Sequence, residues 1–504
     1  MPYLSIMILL PLLGSLLVFA IPSALGAARI KSIAFAIFGI VFALFVTAAM
    51  QFQINATDQF QLVESYEWIT AFGVSWSVGV DGLGLVMLGL VTILVPVVLL
   101  AAWRDVADDA VGKFYGLNLL LQSVVIAVFV ATDLFMFYVF FELMLVPMYF
   151  LIGRYGVGDR RKAAVKFLIF SLVGGLILLA GVISLWVQSL RITEIGSFNL
   201  EFLSTLGLNI ETQRWLFVAF FIAFAIKAPL VPVHSWLPDA AQSSTPAVAV
   251  LLIGILDKVG TYAMLRFLLP LFPEASAELA PVALTLATLS IFYGALMAIG
   301  SKDMKRLMAY VSISHFGFIV LGIFAFTTQG ISGAMFYMFS HGLSTAALFL
   351  AVGYLMQRTG SSEISDHAGA FQITPLLAGL ILFGGLSSVA LPGLASFIAE
   401  FTVLLGTFAR YPILAGFATL GIVVAAVYAL WLYQRTMTGH PSDAVSGIKD
   451  VSGREVIALS PVIALTLVLG FVPQLAFDLL NPTSEKVMQQ VSQVDPAALI
   501  DGEN

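Results

Sequence analysis

Four charged residues lie in stretches of this chain that are otherwise apolar enough to be buried in lipid. Glu142 falls within 132–152, Lys227 within 215–233, Lys258 within 248–269, and Glu400 in the run that begins near Ile373. A charge at the centre of a bilayer costs about 2.5–3.5 kcal/mol even on the lenient insertion scale, so several in one chain imply pairing, a watery cavity or ion conduction. Amines and carboxylates buried in series point first to an ion or proton pathway. The plainer use of Glu142 with Lys227 is a fixed buried pair that sets helix packing, and Lys258 has a similar alternative.

The elements that must position these groups are membrane helices. With 60% hydrophobic residues, 10% charged residues and a mean hydropathy of +1.02, the chain lies far from soluble domains, where roughly 25% of residues are charged. The net charge of −6 says little, because placement matters more than sum. The first run, Leu4–Ile21, has no basic segment before it and is expected to be a retained span, not a signal peptide. No cysteine is present, which removes disulfides, iron–sulfur ligation and thiolate zinc sites. Apolar runs of roughly 20 residues predict an all-α integral membrane protein with about fourteen transmembrane helices. Their cores are 3–22, 30–50, 83–103, 113–131, 133–153, 164–189, 215–235, 245–269, 279–299, 305–326, 331–357, 372–408, 412–434 and 455–480. The run 372–408 is too long for one straight span and is interrupted by Leu391-Pro392-Gly393; Ala228-Pro229-Leu230-Val231-Pro232 interrupts the seventh just after Lys227. Helices 7 and 12 are therefore predicted to be broken, and broken helices at bilayer depth tend to mark transport sites.

Loop charges orient the bundle. Sixteen of the 23 lysines and arginines follow odd-numbered helices, among them Arg160, Arg161, Lys162, Lys166, Lys305 and Arg306. Five (Arg191, Arg214, Arg266, Arg410 and Lys486) follow even-numbered ones or lie at ends facing that side. The odd loops are then cytoplasmic, and both termini are predicted on the non-cytoplasmic side. An internal repeat is also visible. Lys166–Ser171 and Phe336–His341 open comparable Gly/Ala-rich helices, and the interval from Glu142 to Lys227, 85 positions, recurs from His315 to Glu400. Two five-helix units, helices 4–8 and 9–13, would be inverted relative to each other, because an odd number of spans turns the topology over. The corresponding division is 1–110 for helices 1–3 with an outer loop, 111–270 and 278–440 for the repeats, and 441–504 for the last helix and tail.

The motifs carry a resemblance. Lys227-Ala228-Pro229-Leu230-Val231-Pro232-Val233-His234-Ser235-Trp236-Leu237-Pro238-Asp239-Ala240, then Thr245-Pro246 and Leu256-Asp257-Lys258-Val259-Gly260-Thr261-Tyr262, closely resemble the signature of the antiporter-like membrane subunits of respiratory complex I. Arg306–Gly317, Ser340-His341-Gly342, and Leu391-Pro392-Gly393 with Phe397 and Glu400 resemble further signatures of that family. The resemblance runs from about Leu83 to the last helix. Glutamate at 400 is similar to the subunit M branch, whereas the sister branches L and N typically carry lysine there. Two features depart from the pattern. Asp239-Ala240-Ala241-Gln242-Ser243-Ser244-Thr245-Pro246 lacks a histidine and an acid that many relatives have, which weakens a role for this loop in proton uptake. Asp257, directly before Lys258, is unusual; neighbours on a helix are about 100° apart, so the two cannot share one face.

The resemblance implies a non-redox, proton-translocating subunit of NADH:quinone oxidoreductase. In it Glu142 modulates Lys227, Lys258 lies midway, Glu400 serves the exit, and His315, His341 and water bridge the gaps. It also implies no cofactor in this chain, with flavin and iron–sulfur clusters in other subunits. The implied partners are other membrane subunits, L and N in particular, and lipid, with no nucleic acid, in a bacterial-type inner membrane. The residues agree with the absence of a redox centre, since no glycine-rich nucleotide fingerprint is present. A subunit of a multisubunit cation/proton antiporter is the alternative, against which Glu400 argues; a solute carrier or passive scaffold is a third reading. His315 and His341 have an ordinary use as interhelical hydrogen bonders. His234 is expected to be structural, His367 and His440 to lie in loops without a role, and Glu64, Glu67 and Trp68 to occupy a long outer loop as surface or subunit contact.

Overall fold

The computed structural model describes residues 1–22, 26–54, 56 and 58–496. Two helices, α1 (Tyr3–Ala20) and α2 (Ala27–Gln51), precede an antiparallel hairpin of β1 (Gln61–Ile69) and β2 (Val74–Val80). Then follow α3 (Gly82–Ala101), α4 (Val111–Val130), α5 (Leu134–Leu143), α6 (Leu145–Tyr155), α7 (Arg160–Thr193), the short α8 (Leu200–Ser204), α9 (Ile210–Lys227) and α10 (Trp236–Ser243). The span carrying Lys258 is composite: α11 (Pro246–Leu251), a π-turn at Leu252–Leu256, α12 (Lys258–Ala263), a second π-turn at Met264–Leu268 and α13 (Leu269–Leu271). The second half holds α14 (Pro273–Ile299), α15 (Met304–Phe324), α16 (Thr328–Thr359), α17 (Ala370–Ile373), α18 (Pro375–Ser388), α19 (Ala395–Arg410), α20 (Pro412–Met437), α21 (Gly453–Phe471) and α22 (Gln474–Gln490).

Among the described residues, twelve helical segments are long and apolar enough to cross a membrane, against the fourteen expected. The other two expected spans are in pieces, as anticipated: the seventh as α9 and α10, the twelfth as α18 and α19. The last core, 455–480, ends earlier than expected, since α21 stops at Phe471 and α22 starts afresh at Gln474 after Pro473. The outer loop is not wholly irregular either. Gln61–Ile69 does not alternate apolar and polar residues, so no strand was legible there, yet it pairs with β2 from Gln61↔Val80 to Ile69↔Val74. Glu64 does more than face solvent: its carboxylate accepts the backbone N–H groups of Leu4 (2.8 Å) and Ser5 (3.2 Å) at the start of α1, where four helical N–H groups otherwise lack partners.

Burial sorts the spans. The cores of Pro246–Leu271, Met304–Phe324 and Thr328–Thr359 are enclosed by protein, whereas most core residues of Ala27–Gln51 and Pro412–Met437 are not. The enclosed spans carry Lys258, His315 and His341. The central helix α16, the least apolar of the twelve, packs on α3, α11, α15, α18, α19, α21 and α22. A helix surrounded by other helices can keep polar groups that lipid would expel.

Candidate functional site: a buried line of titratable groups

Each expected charged residue sits at an irregularity in its helix. Glu142 occupies the last turn of α5, before the turn at Met144 and Pro147 in α6; the proline ring conflicts with the carbonyl four residues back, at Leu143. Its carboxylate rests against Gly175 of α7, so closely that a Cβ at 175 would lie 1.9 Å from Oε1. The missing side chain makes the slot.

Lys227 ends α9 and is 2% exposed. The chain breaks immediately after it, and the groups freed by the break find partners. Leu230 N–H donates to Ala225 O (2.9 Å), Trp236 Nε1 to Ile226 O (2.9 Å), and Val231 N–H to Ser290 Oγ (3.0 Å) on α14. The Lys227 ammonium itself has no hydrogen-bond partner among the described residues; it lies over the rings of Phe141 (5.3 Å) and Phe167 (5.5 Å). The expected contact with Glu142 is not made. No ion pair joins them, and Glu142 Oε1 is also without a partner, so the reading as a static buried pair is corrected. Phe141, whose ring the Lys227 ammonium faces, is the chain neighbour of Glu142, so the two heads lie in one region of the bundle.

Lys258 is fully buried between the two π-turns. Such wide turns leave carbonyls unpaired and recur at functional sites. Its Nζ donates to Ile253 O (2.6 Å), lies 2.5 Å from His341 Nδ1, and stands 4.8 Å over the ring of Phe316. From His341 the polar groups continue across the second half. His341 and His315 meet edge-on at 5.0 Å between ring centroids, and His315 lies 5.8 Å from Tyr337. Tyr337 Oη donates to Glu400 Oε2 at 2.8 Å. Beside the histidines is a cavity lined by Ser312, Ser344, Thr345 and Ser388, with room for roughly one water molecule. Glu400 stands in the second turn of α19, just past the break, and is 4% exposed. The structure thus brings Lys258, His341, His315 and Glu400 together and adds Tyr337. Lys227 and Glu142 are packed as a separate, looser group.

At the end of the bundle rich in basic residues, Asp239 of α10 pairs with Lys166 (2.6 Å) and Arg306 (2.7 Å), and Arg306 also reaches Gln242 Oε1 (3.2 Å). The altered segment, expected to be a loop, is helical as far as Ser243 and is tied down by cations of α7 and α15. Asp159, Lys162, Lys166 and Asp239 line an open cavity there. His234 packs its ring 4.7 Å from Tyr293. His367, expected in a loop, instead closes a short 3-10 turn (Ile364–His367) and is buried; it bonds Thr359 Oγ1 (2.9 Å) and Glu363 O (2.7 Å), and burial pulls its imidazole below the ordinary value.

Two features were not read from the sequence. Tyr337 looked like one more aromatic in an apolar run. Arg266, counted above with the charges of the even-numbered side, is 5% exposed and forms a two-pronged ion pair with Asp81, Nη1–Oδ2 2.8 Å and Nη2–Oδ1 2.5 Å. Tyr262 Oη accepts from Arg266 Nε (3.0 Å) and donates to Phe129 O (2.7 Å). The available signal was Arg266 within the apolar run 248–269, together with Asp81 at the start of another.

Known proteins resemble this chain in sequence and fold. The family model described as "NADH:quinone oxidoreductase/Mrp antiporter, TM" matches residues 131–425. NADH-quinone oxidoreductase subunit M of Mycobacterium tuberculosis (strain ATCC 25618 / H37Rv) is 44% identical, over 98% of this chain and 96% of its own. A chain of respiratory complex I from Thermus thermophilus with bound NADH superposes with a TM-score of 0.86 at 34% identity, covering 97% of this chain and 100% of that one. A chain of the Mrp complex from Dietzia sp. DQ12-45-1b superposes with a TM-score of 0.85 over 97% of this chain and 99% of its own, but at 22% identity shares the fold alone. With full-length identity on the complex I side and only a common fold on the Mrp side, the chain belongs to the NADH:quinone oxidoreductase/Mrp antiporter transmembrane family, in the subunit M branch of NADH-quinone oxidoreductase.

Proposed function

We propose that this chain is the non-redox, proton-translocating subunit of an NADH:quinone oxidoreductase, and that Glu142, Lys227, Lys258, His341, His315 and Glu400 carry or control the proton. The observation that supports this most strongly is the run of buried polar groups from Lys258 to Glu400, hydrogen-bonded at Lys258–His341 and Tyr337–Glu400 and in ring contact through His315 between them. A chain used only as a scaffold gains nothing from such a run, because each group costs desolvation energy. Lys258 passes a proton from Nζ to His341 Nδ1; with His315, adjacent water and the Tyr337 hydroxyl as intermediaries, the charge moves toward the Glu400 carboxylate.

Glu142 and Lys227 act as the control point. They are close enough to interact but not in contact, so a small movement of either changes their attraction. At an effective dielectric of about 20, two unit charges gain roughly 4 kcal/mol at 4 Å and about half that at 8 Å. A change of separation driven by a neighbouring subunit would therefore favour or disfavour the charged lysine by an amount able to move a proton. Uptake is from the side rich in lysine and arginine, read as cytoplasmic, with the termini on the other side. Partners are the membrane subunits L and N; flavin and iron–sulfur chemistry belongs to other subunits of the complex. The inverted five-helix repeats would place the Glu142–Lys227 and His315–Glu400 groups as related half-pathways.

The test is Lys258→Met, which keeps bulk and removes the charge. Proton movement in membrane vesicles is measured per NADH oxidised, beside assembly on native gels. The expected result is an assembled complex that pumps poorly. Parent-like pumping by a normally assembled Lys258→Met complex refutes the pathway.

A further inference from the structure

Asp257 is a buried acid to which the pathway above gives no role. It is fully buried, and among the described residues neither carboxylate oxygen has a hydrogen-bond partner or an ion pair. An ionised carboxylate in this setting forfeits several kcal/mol of solvation, and a neutral one leaves an unsatisfied polar group that costs about 1–3 kcal/mol. A residue held at that cost inside a membrane is a functional group by default.

Its position says which function. Lys258, next in the chain, points its ammonium to Ile253 O and His341. Helical geometry sends Asp257 about 100° away. Three residues on, and so on nearly the same face of the helix, Gly260 is pressed against the end of α9: a Cβ there would lie 2.6 Å from both Phe224 O and Ala228 N. That contact brings the Asp257 side of the helix against the residues flanking Lys227. Lys258 is the chain neighbour of Asp257, and Lys227 is the last residue of the helix whose end Gly260 touches. In packing order the groups are Lys227 at the end of α9, Asp257 on the side of its helix that meets that end, and Lys258 next in the chain.

We propose that Asp257 is a proton-carrying residue that connects Lys227 to Lys258. The Lys227 ammonium gives a proton to the Asp257 carboxylate, leaving a neutral amine and a neutral acid. The acid then gives that proton to the neutral Lys258 amine, restoring the carboxylate and a Lys258 ammonium ready to face His341. One N–H bond breaks and one O–H forms in the first step, the reverse in the second, and charge balances throughout. This rests on the proton-pathway reading above.

The experiment uses the native complex in membrane vesicles, with Asp257→Asn, Asp257→Glu and Lys258→Met, and adds infrared difference spectra of the parent with and without NADH. Asp257→Asn is expected to slow proton movement by at least about tenfold, a conservative value for removing a positioned acid–base group. Asp257→Glu should recover part of the loss. The parent should show an NADH-dependent carbonyl band of a neutral carboxylic acid that is missing from Asp257→Asn. Should the asparagine variant not assemble, the band is sought in Asp257→Glu: a shifted band supports the assignment and an unmoved one overturns it. Parent-like pumping by Asp257→Asn beside a defective Lys258→Met removes Asp257 and leaves the pathway. Slow pumping without any band makes Asp257 a fixed counter-charge, which also overturns the proposal. Parent-like pumping by both variants takes the pathway reading down with it.

Discussion

Gly175→Ala moves a functional carboxylate without changing any charged residue. The new Cβ would stand 1.9 Å from Oε1, 2.3 Å from Cδ and 2.6 Å from Oε2 of Glu142. Non-bonded heavy atoms settle near 3.5 Å, so the Glu142 head must retreat by more than about 1 Å. The atoms it meets are the far end of a flexible side chain, which can yield, so the backbone of α7 need not shift. Alanine also favours a helix interior over glycine by about 1 kcal/mol, so folding and assembly should survive. A displacement of about 1 Å of a group positioned for catalysis can cost roughly 10²-fold in rate. We expect an assembled complex whose proton movement per NADH falls at least roughly tenfold, within that bound. Vesicle proton uptake, native gels and NADH oxidation measured together check this. A second measurement isolates the cause. In a Glu142→Ala background the clash has no target, so Gly175→Ala should add little to the loss. Parent-like pumping by Gly175→Ala, or an undiminished further loss in the Glu142→Ala background, refutes the idea that Gly175 exists to seat this carboxylate.

Glu400→Gln leaves an amide oxygen that can still accept from Tyr337 Oη, so packing should hold while the exchangeable proton is gone; pumping by an assembled complex should be nearly lost, with Glu400→Asp retaining part, and vesicle assays decide. Asp81→Asn should act on stability instead. It leaves Arg266 buried without its counter-charge, an expected loss of about 3–5 kcal/mol, visible as reduced assembly and a lowered unfolding temperature, and Asp81→Asn with Arg266→Gln should recover part of it.

Much of this protein is local chemistry and was legible along the chain. Apolar runs of bilayer length dictate spans, because a helix in lipid must satisfy its own backbone and present hydrocarbon outward. Prolines at 229, 232 and 392 dictate the breaks beside Lys227 and before Glu400, since a proline removes a helical donor wherever it stands. The charges at 142, 227, 258 and 400 announced themselves, as lipid tolerates few without a purpose. What sequence could not give is distance between helices. Two buried opposite charges allowed Glu142 and Lys227 to be a fixed pair; packing holds them apart, because Gly175 and the rings of Phe141 and Phe167 receive the two heads separately. Nothing in the run 331–357 singled out Tyr337, whose hydroxyl matters only because α16 lies against α19. Arg266 passed for a charge of the even-numbered side until folding brought Asp81, 185 positions away in sequence, within 2.5 Å. Asp257 acquires its neighbours only when Gly260 lets its helix press onto the end of α9. Helix existence follows from the solvent each segment must face, whereas which polar groups exchange protons depends on separations of a few ångströms that only interhelical packing sets.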